Sequence, residues 1–162
     1  MSRSLDKKTL FLVQSAVIAA LYAALTLAFA PISYGLMQVR ISEALCVLPL
    51  YTPAGVPGLF LGCLLANLIG GMGVYDVVFG SLATLLAAGC TWLLREKSRY
   101  LAPLPTILFN AVIVGAMMAF LFDVGESFGI CMVYVGAGEA IACYVLGVPL
   151  TFALDKLKGK VF

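Results

Sequence analysis

The sequence predicts an all-α integral membrane protein with six transmembrane helices in a single transmembrane domain, residues 1–162. Three observations predict it. Of the 162 residues, 63% are hydrophobic and 11% charged, with a mean hydropathy of +1.09, far outside the soluble globular range. Two long stretches, residues 9–39 and 44–75, carry no charge at all. Nine of the ten Lys and Arg residues fall in three clusters: Arg3, Lys7 and Lys8; Arg95, Lys97 and Arg99; Lys156, Lys158 and Lys160. A span takes roughly 20 apolar residues, so six spans would use most of the chain, leaving short loops and no room for a soluble catalytic domain.

Each element follows in order. Residues 9–30 read as the first span, ended by Pro31 and Gly35; the stretch is long and lacks a small-residue cleavage site, so it reads as a permanent span. The second uncharged run is broken by Tyr51-Thr52-Pro53-Ala54-Gly55-Val56-Pro57, which predicts a turn between two short helices at 42–51 and 57–69. Further spans are expected at 76–94, 103–122 and 128–154. Charge parity supports the broken pair. The positive-inside rule places all three basic clusters in the cytoplasm, so an even number of spans must separate the first two. Both termini are then cytoplasmic, and Arg40 is the one basic residue left outside. Glu43, Asp76, Asp123 and Glu126 fall at or near that outer face, which suits a site wanting carboxylates.

Several function classes are disfavoured. With no histidine and five scattered cysteines (Cys46, Cys63, Cys90, Cys131, Cys143), neither a metal, a haem nor a disulfide framework is expected, and no cofactor. The cysteines read as small packing residues. There is no P-loop, HExxH or GxSxG, so an enzyme is not expected, and no nucleic-acid partner is expected either. Energy for transport would come from an ion gradient or from partner proteins.

The candidate site residues are the polar groups at or within the hydrocarbon region, where such groups are costly and usually functional. Glu139 lies halfway along the sixth span beside Gly136 and Gly138; it needs a ligand, a partner such as Asn67 or Asn110, or a proton. Asp76 reads equally as a helix N-cap or a ligand contact. Asn110 reads as a structural amide bridge or a substrate contact. Tyr75 and Tyr134 read as ring-stacking groups or as members of an interfacial aromatic belt. Gln38, Arg40 and Glu43 form a lid segment at the mouth, in which Arg40 and Glu43 are spaced for a local ion pair and Gln38 both donates and accepts. Small residues recur every four positions at Ala16, Ala20 and Ala24, at Gly58, Gly62, Ala66 and Gly70, and at Ala111, Gly115 and Ala119. Such ridges let helices pack closely in lipid; on the first span the ridge suits either neighbouring helices or a separate protein.

Gln38-Val39-Arg40-Ile41-Ser42-Glu43-Ala44-Leu45, Pro57-Gly58-Leu59-Phe60-Leu61-Gly62-Cys63, Ala66-Asn67-Leu68, and Asp76-Val77-Val78-Phe79-Gly80-Ser81-Leu82-Ala83-Thr84 together resemble the QueT family. These are substrate-binding membrane subunits, or S components, of energy-coupling factor (ECF) transporters. The resemblance covers nearly the whole chain. It implies an S-component-like six-helix bundle in the cell membrane that takes up a queuosine precursor, a 7-deazaguanine such as pre-queuosine or queuine. It implies as partners a transmembrane coupling subunit, with Ala16, Ala20 and Ala24 as the contact face, and two cytoplasmic ATPases. It makes chemical sense of Glu139 accepting from the N1/N2 edge, of Asp76 or Glu43 pairing with an aminomethyl cation, and of Asn67, Gln38 or Arg40 donating to the carbonyl. The alternatives are an S component for another heterocyclic vitamin, a structural or assembly membrane protein, and a stand-alone proton-coupled carrier using Glu139.

Overall fold

The computed structural model describes residues 6–34, 38–122 and 124–156; Arg3, Gly35, Asp123, Lys158 and Lys160 lie outside them. The described chain is all-helical. We label the principal helices α1 (Lys7–Ala28), α2 (Ile41–Leu50), α3 (Gly55–Ile69), α4 (Asp76–Leu93), α5 (Arg99–Phe120) and α6 (Phe128–Asp155). Four of them, α1, α4, α5 and α6, are long and apolar enough to cross a membrane, at 22, 18, 22 and 28 residues.

The pair α2 and α3 is shorter. α2 is a 3₁₀-helix of ten residues with Pro49 inside it, and α3 an α-helix of 15. At rises of about 2.0 and 1.5 Å per residue, both reach only about 20 Å, so they match each other in length. They meet at Tyr51–Ala54. Gly55 is required there, because a Cβ would lie 2.8 Å from the Pro49 backbone nitrogen. α3 starts two residues before the expected position, since Pro57 in the first helical turn has no N–H to leave unpaired.

Successive helices reverse direction. Ser15 of α1 bonds the Ala54 carbonyl at the start of α3, while Tyr22 reaches Glu43 and Thr26 reaches Ser42 at the start of α2. Thr91 of α4 bonds the carbonyl of Ala102, Gly115 of α5 packs on Met132, and Arg99 pairs with Asp155 at 2.5 Å. One end of the bundle therefore gathers Lys7, Lys8, Arg95, Lys97, Arg99 and Lys156. Arg40 is the only described Lys or Arg at the other.

α2 is the central element. Its residues 42–44 and 46–49 are all buried, and it packs against α1, α3, α4, α5 and α6. Ile18, Tyr22, Leu48, Leu59, Cys63 and Ala88 form one core; Val114, Met117, Cys131 and Val135 form another between α5 and α6. Large apolar side chains instead cover the outside, including Leu12, Leu65, Leu86, Leu108, Val133 and Val145. An apolar exterior that keeps the buried polar groups away from lipid is what a bilayer demands.

Candidate functional site

The glycine ridge of α3 brings α1 close enough to build a polar centre. A Cβ at Gly62 would lie 2.7 Å from the Tyr22 Cβ and 2.9 Å from the Ala19 carbonyl oxygen; one at Gly70 would lie 2.7 Å from the Tyr34 hydroxyl. This approach buries Tyr22 completely, and its hydroxyl donates to Oε1 of Glu43. Beside it, Thr26 and Ser42 share a hydrogen bond of 2.6 Å.

Gln38, Arg40 and Glu43 are not an exposed lid. All three are buried, Arg40 at 3% and Glu43 at 1% exposure. Gln38 adopts φ 44°, which is uncommon for a residue other than glycine, and its amide donates to Met118 Sδ at 3.8 Å. Arg40 is in extended backbone immediately before α2. Its guanidinium donates to the Ser33 carbonyl (3.4 Å), to Cys63 Sγ (3.7 Å) and to Asn67 Oδ1 (3.3 Å), and lies over the Tyr34 ring at 5.5 Å. The spacing of Arg40 and Glu43 suits a local ion pair, yet among the described residues the ion pairs are Arg95–Glu96 and Arg99–Asp155. The extended backbone turns Arg40 toward α3 while the first turn of α2 turns Glu43 toward α1.

Glu139 is buried at 1% exposure inside α6. Among the described residues neither Asn67 nor Asn110 bonds it; the Cys143 thiol, one turn on, reaches its Oε2 at 3.8 Å and the Glu43 carbonyl at 3.6 Å. Asn67 is committed elsewhere, donating to the Asp76 carbonyl at 2.9 Å while accepting from Arg40. Asp76 does not cap α4: the helical turn begins at Val74, so Asp76 lies within it, and its Oδ2 is buried with no hydrogen-bond partner among the described residues. Asn110 Nδ2 is in the same condition, as are the hydroxyls of Ser33 and Ser81. Tyr75 is 49% exposed, stacked on Phe79 and edge-on to Phe122, which places it in an outer aromatic cluster. Tyr134 is half-buried.

Three π-helical turns coincide with these residues: Asp76–Gly80, Asn110–Val114 and Ile141–Gly147. The first two start on Asp76 and Asn110, and the third starts two residues after Glu139. Such turns are rare and concentrate at functional sites, because the wider turn re-aims a side chain. Beside Asn67, a groove of about 460 Å³ opens between α3 and α4, lined by Leu68, Gly71, Gly73, Val74 and Val77. Gly71 and Gly73 have φ of 66° and 91°, so this loop depends on glycine.

The chemistry of the centre is unbalanced. Arg40 is one cation, while Glu43, Glu139 and Asp76 are three carboxyl groups buried with it. With every carboxyl ionised, the four would carry a formal charge of +1 − 3 = −2. Such a centre favours a cationic, hydrogen-bonding guest.

Sequence reasoning missed Tyr22, Ser33, Ser81, Cys63 and Cys143. Serines and cysteines are ordinary in apolar helices, so their types gave no signal; Tyr22 was detectable only through its register against Gly62. The alanines of α1 divide cleanly: Ala19 and Ala23 are buried against α3, whereas Ala16, Ala20 and Ala24 are exposed. The ridges of α3 and α5 pack inside the bundle.

Comparison with known proteins adds the following. The family described as QueT transporter matches residues 12–156. The queuosine precursor transporter QueT of Lactococcus lactis subsp. cremoris (strain MG1363) is 36% identical over 92 residues, covering 56% of this chain and 54% of that protein. The chain thus spans about half the length of the curated relative it matches. No solved structure matches it.

Proposed function

The chain belongs to the QueT transporter family, and from that premise we propose that it is the substrate-binding S component of an energy-coupling factor importer for a 7-deazaguanine queuosine precursor. The observation that carries this reading is the buried centre of one guanidinium and three carboxyls supplied by α2 and the residue preceding it, α4 and α6. A 7-deazaguanine offers N–H donors along its N1/N2 edge, which a carboxylate accepts in bidentate fashion. Glu139 takes that role. An aminomethyl substituent supplies the cation that the centre lacks, facing Asp76 or Glu43. Arg40 and Asn67 are held by each other and form the wall of the site, with Gln38 closing it from the α2 side. The groove beside Asn67 is the entrance, and Tyr75 lies on its aromatic rim.

Orientation follows from charge. The basic end of the bundle is cytoplasmic by the positive-inside rule, so the site opens outward and both termini are inside. The α2–α3 pair crosses as a hairpin that is short for the roughly 30 Å hydrocarbon core, which is tolerable because α2 is enclosed by the other helices. The exposed Ala16, Ala20 and Ala24 face the transmembrane coupling subunit, whose helix can approach closely along small side chains. The chain is then a multi-pass protein of the plasma membrane, and two cytoplasmic ATPases supply the energy.

Uptake of labelled 7-aminomethyl-7-deazaguanine tests this in cells carrying the chain with and without the coupling subunit and ATPases. Uptake that requires the ATPases and survives collapse of the proton gradient is expected. Uptake that needs neither partner and stops with a protonophore would overturn the proposal in favour of a stand-alone carrier.

A further inference from the structure

Buried polar groups are almost always hydrogen-bonded, and an exception calls for an explanation. Among the described residues four buried side-chain atoms lack a partner, and three of them belong to the adjoining helices α4 and α5: Asp76 Oδ2, Ser81 Oγ and Asn110 Nδ2. Asp76 and Ser81 begin and follow one π-turn, which packs against the π-turn that Asn110 begins. Residues five apart fall on one side of a π-turn, so Asp76 and Ser81 share a face. All three residues are at most 3% exposed. On the α3 side of the same turn Gly80 lets Asn67 approach, since a Cβ there would lie 3.0 Å from the Asn67 amide nitrogen.

The three atoms form a defined set: an anionic acceptor, a hydroxyl that accepts or donates, and an amide donor. They contrast with the remainder of the centre, where Tyr22, Glu43, Arg40 and Asn67 satisfy one another. We infer that Asp76, Ser81 and Asn110 form the α4–α5 side of the centre, a subsite that reads a carbonyl flanked by a primary ammonium. This rests on the proposed function and assigns a direction to its substrate. In a 7-aminomethyl-7-deazaguanine the carbonyl oxygen and the 7-substituent are neighbours on one edge, opposite the N1/N2 edge given to Glu139. Asn110 Nδ2 donates to the carbonyl, and Asp76 Oδ2 and Ser81 Oγ accept from the ammonium. Ser81 thereby becomes a specificity residue, and the subsite prefers an aminomethyl group over an uncharged substituent.

The test is titration of the purified full-length chain with 7-aminomethyl-7-deazaguanine and with its 7-cyano analogue, which keeps the ring and loses the ammonium. The wild type is expected to prefer the aminomethyl compound by at least tenfold. One charge-assisted hydrogen bond accounts for about that much, so Ser81→Ala and Asp76→Asn should each lower the aminomethyl-over-cyano ratio by about tenfold. Because the Ser81 hydroxyl is unpaired without ligand, Ser81→Ala should leave the ligand-free unfolding midpoint unchanged or raised, whereas a structural serine would lower it. A wild type that binds both compounds equally, or variants that keep the wild-type ratio, would overturn the subsite and leave the deazaguanine reading standing. A wild type that binds neither compound would overturn the substrate reading and the subsite with it.

Discussion

Removing the hydroxyl of Tyr22 isolates the contact that joins α1 to the central helix. Tyr22 is wholly buried, so Tyr22→Phe keeps the Cβ seated against Gly62 and the ring in place, and deletes only the donor to Glu43. Hydrogen bonds to charged groups contribute about 1.5–3 kcal/mol in folded proteins. Interhelical bonds in membranes average only about 0.6 and reach about 1.7, since the unfolded chain in the membrane finds other partners. Glu43, at 1% exposure, belongs near the upper end of that second range, and we expect a coupling of about 1–1.7 kcal/mol. The measurement is a double-mutant cycle of Tyr22→Phe, Glu43→Met and the pair, which removes the interaction while nearly conserving volume. Unfolding by SDS in mixed micelles can be followed through Trp92, the chain's single tryptophan. A coupling below about 0.3 kcal/mol, within the scatter of additive sites, would refute the claim that this contact ties α1 to the site.

Other predictions use the same logic. Gly62→Val should destabilise the protein by about 1–3 kcal/mol through overpacking against Tyr22 and Ala19. Gly89→Ala, in α4 with nothing within 4 Å of its Cβ position, should stabilise by about 0.5–1 kcal/mol; mixed-micelle unfolding compares the two. Glu139→Gln should weaken binding of a deazaguanine by tenfold or more, read by titration, because the neutral amide loses the charge-assisted pair. Ala20→Trp should leave ligand binding by the isolated chain intact and abolish uptake in cells, because Ala20 is on the outer face of α1.

The helical class was legible because apolar runs and charge clusters are properties of the sequence alone. Pro31 and Pro53 marked the breaks, since a missing N–H acts locally, whereas Pro57 was taken into the first turn of α3. The 3₁₀ character of α2, which packs among five neighbouring helices, was not legible. The polar residues of the site were also visible, because Arg40, Glu43, Asp76 and Glu139 are conspicuous in an apolar chain. Their pairing was not. The spacing of Arg40 and Glu43 suggested an ion pair, and the structure directs the two side chains to different helices. Asp76 looked like a cap because the helix was expected to begin there, and two more helical residues changed its role. Ser81 carried no sequence signal, and only its burial without a partner singles it out.

The central claim is that the buried centre binds a 7-deazaguanine, and calorimetric titration of the detergent-purified chain tests it most directly. Queuine and 7-aminomethyl-7-deazaguanine are the ligands, with guanine as control. The account predicts saturable binding of a deazaguanine at one site per chain and at least tenfold weaker binding of guanine, which lacks the cation that the carboxyls call for. Equal binding of guanine would contradict the role given to those carboxyls. Absence of binding by every compound would contradict the substrate assignment itself.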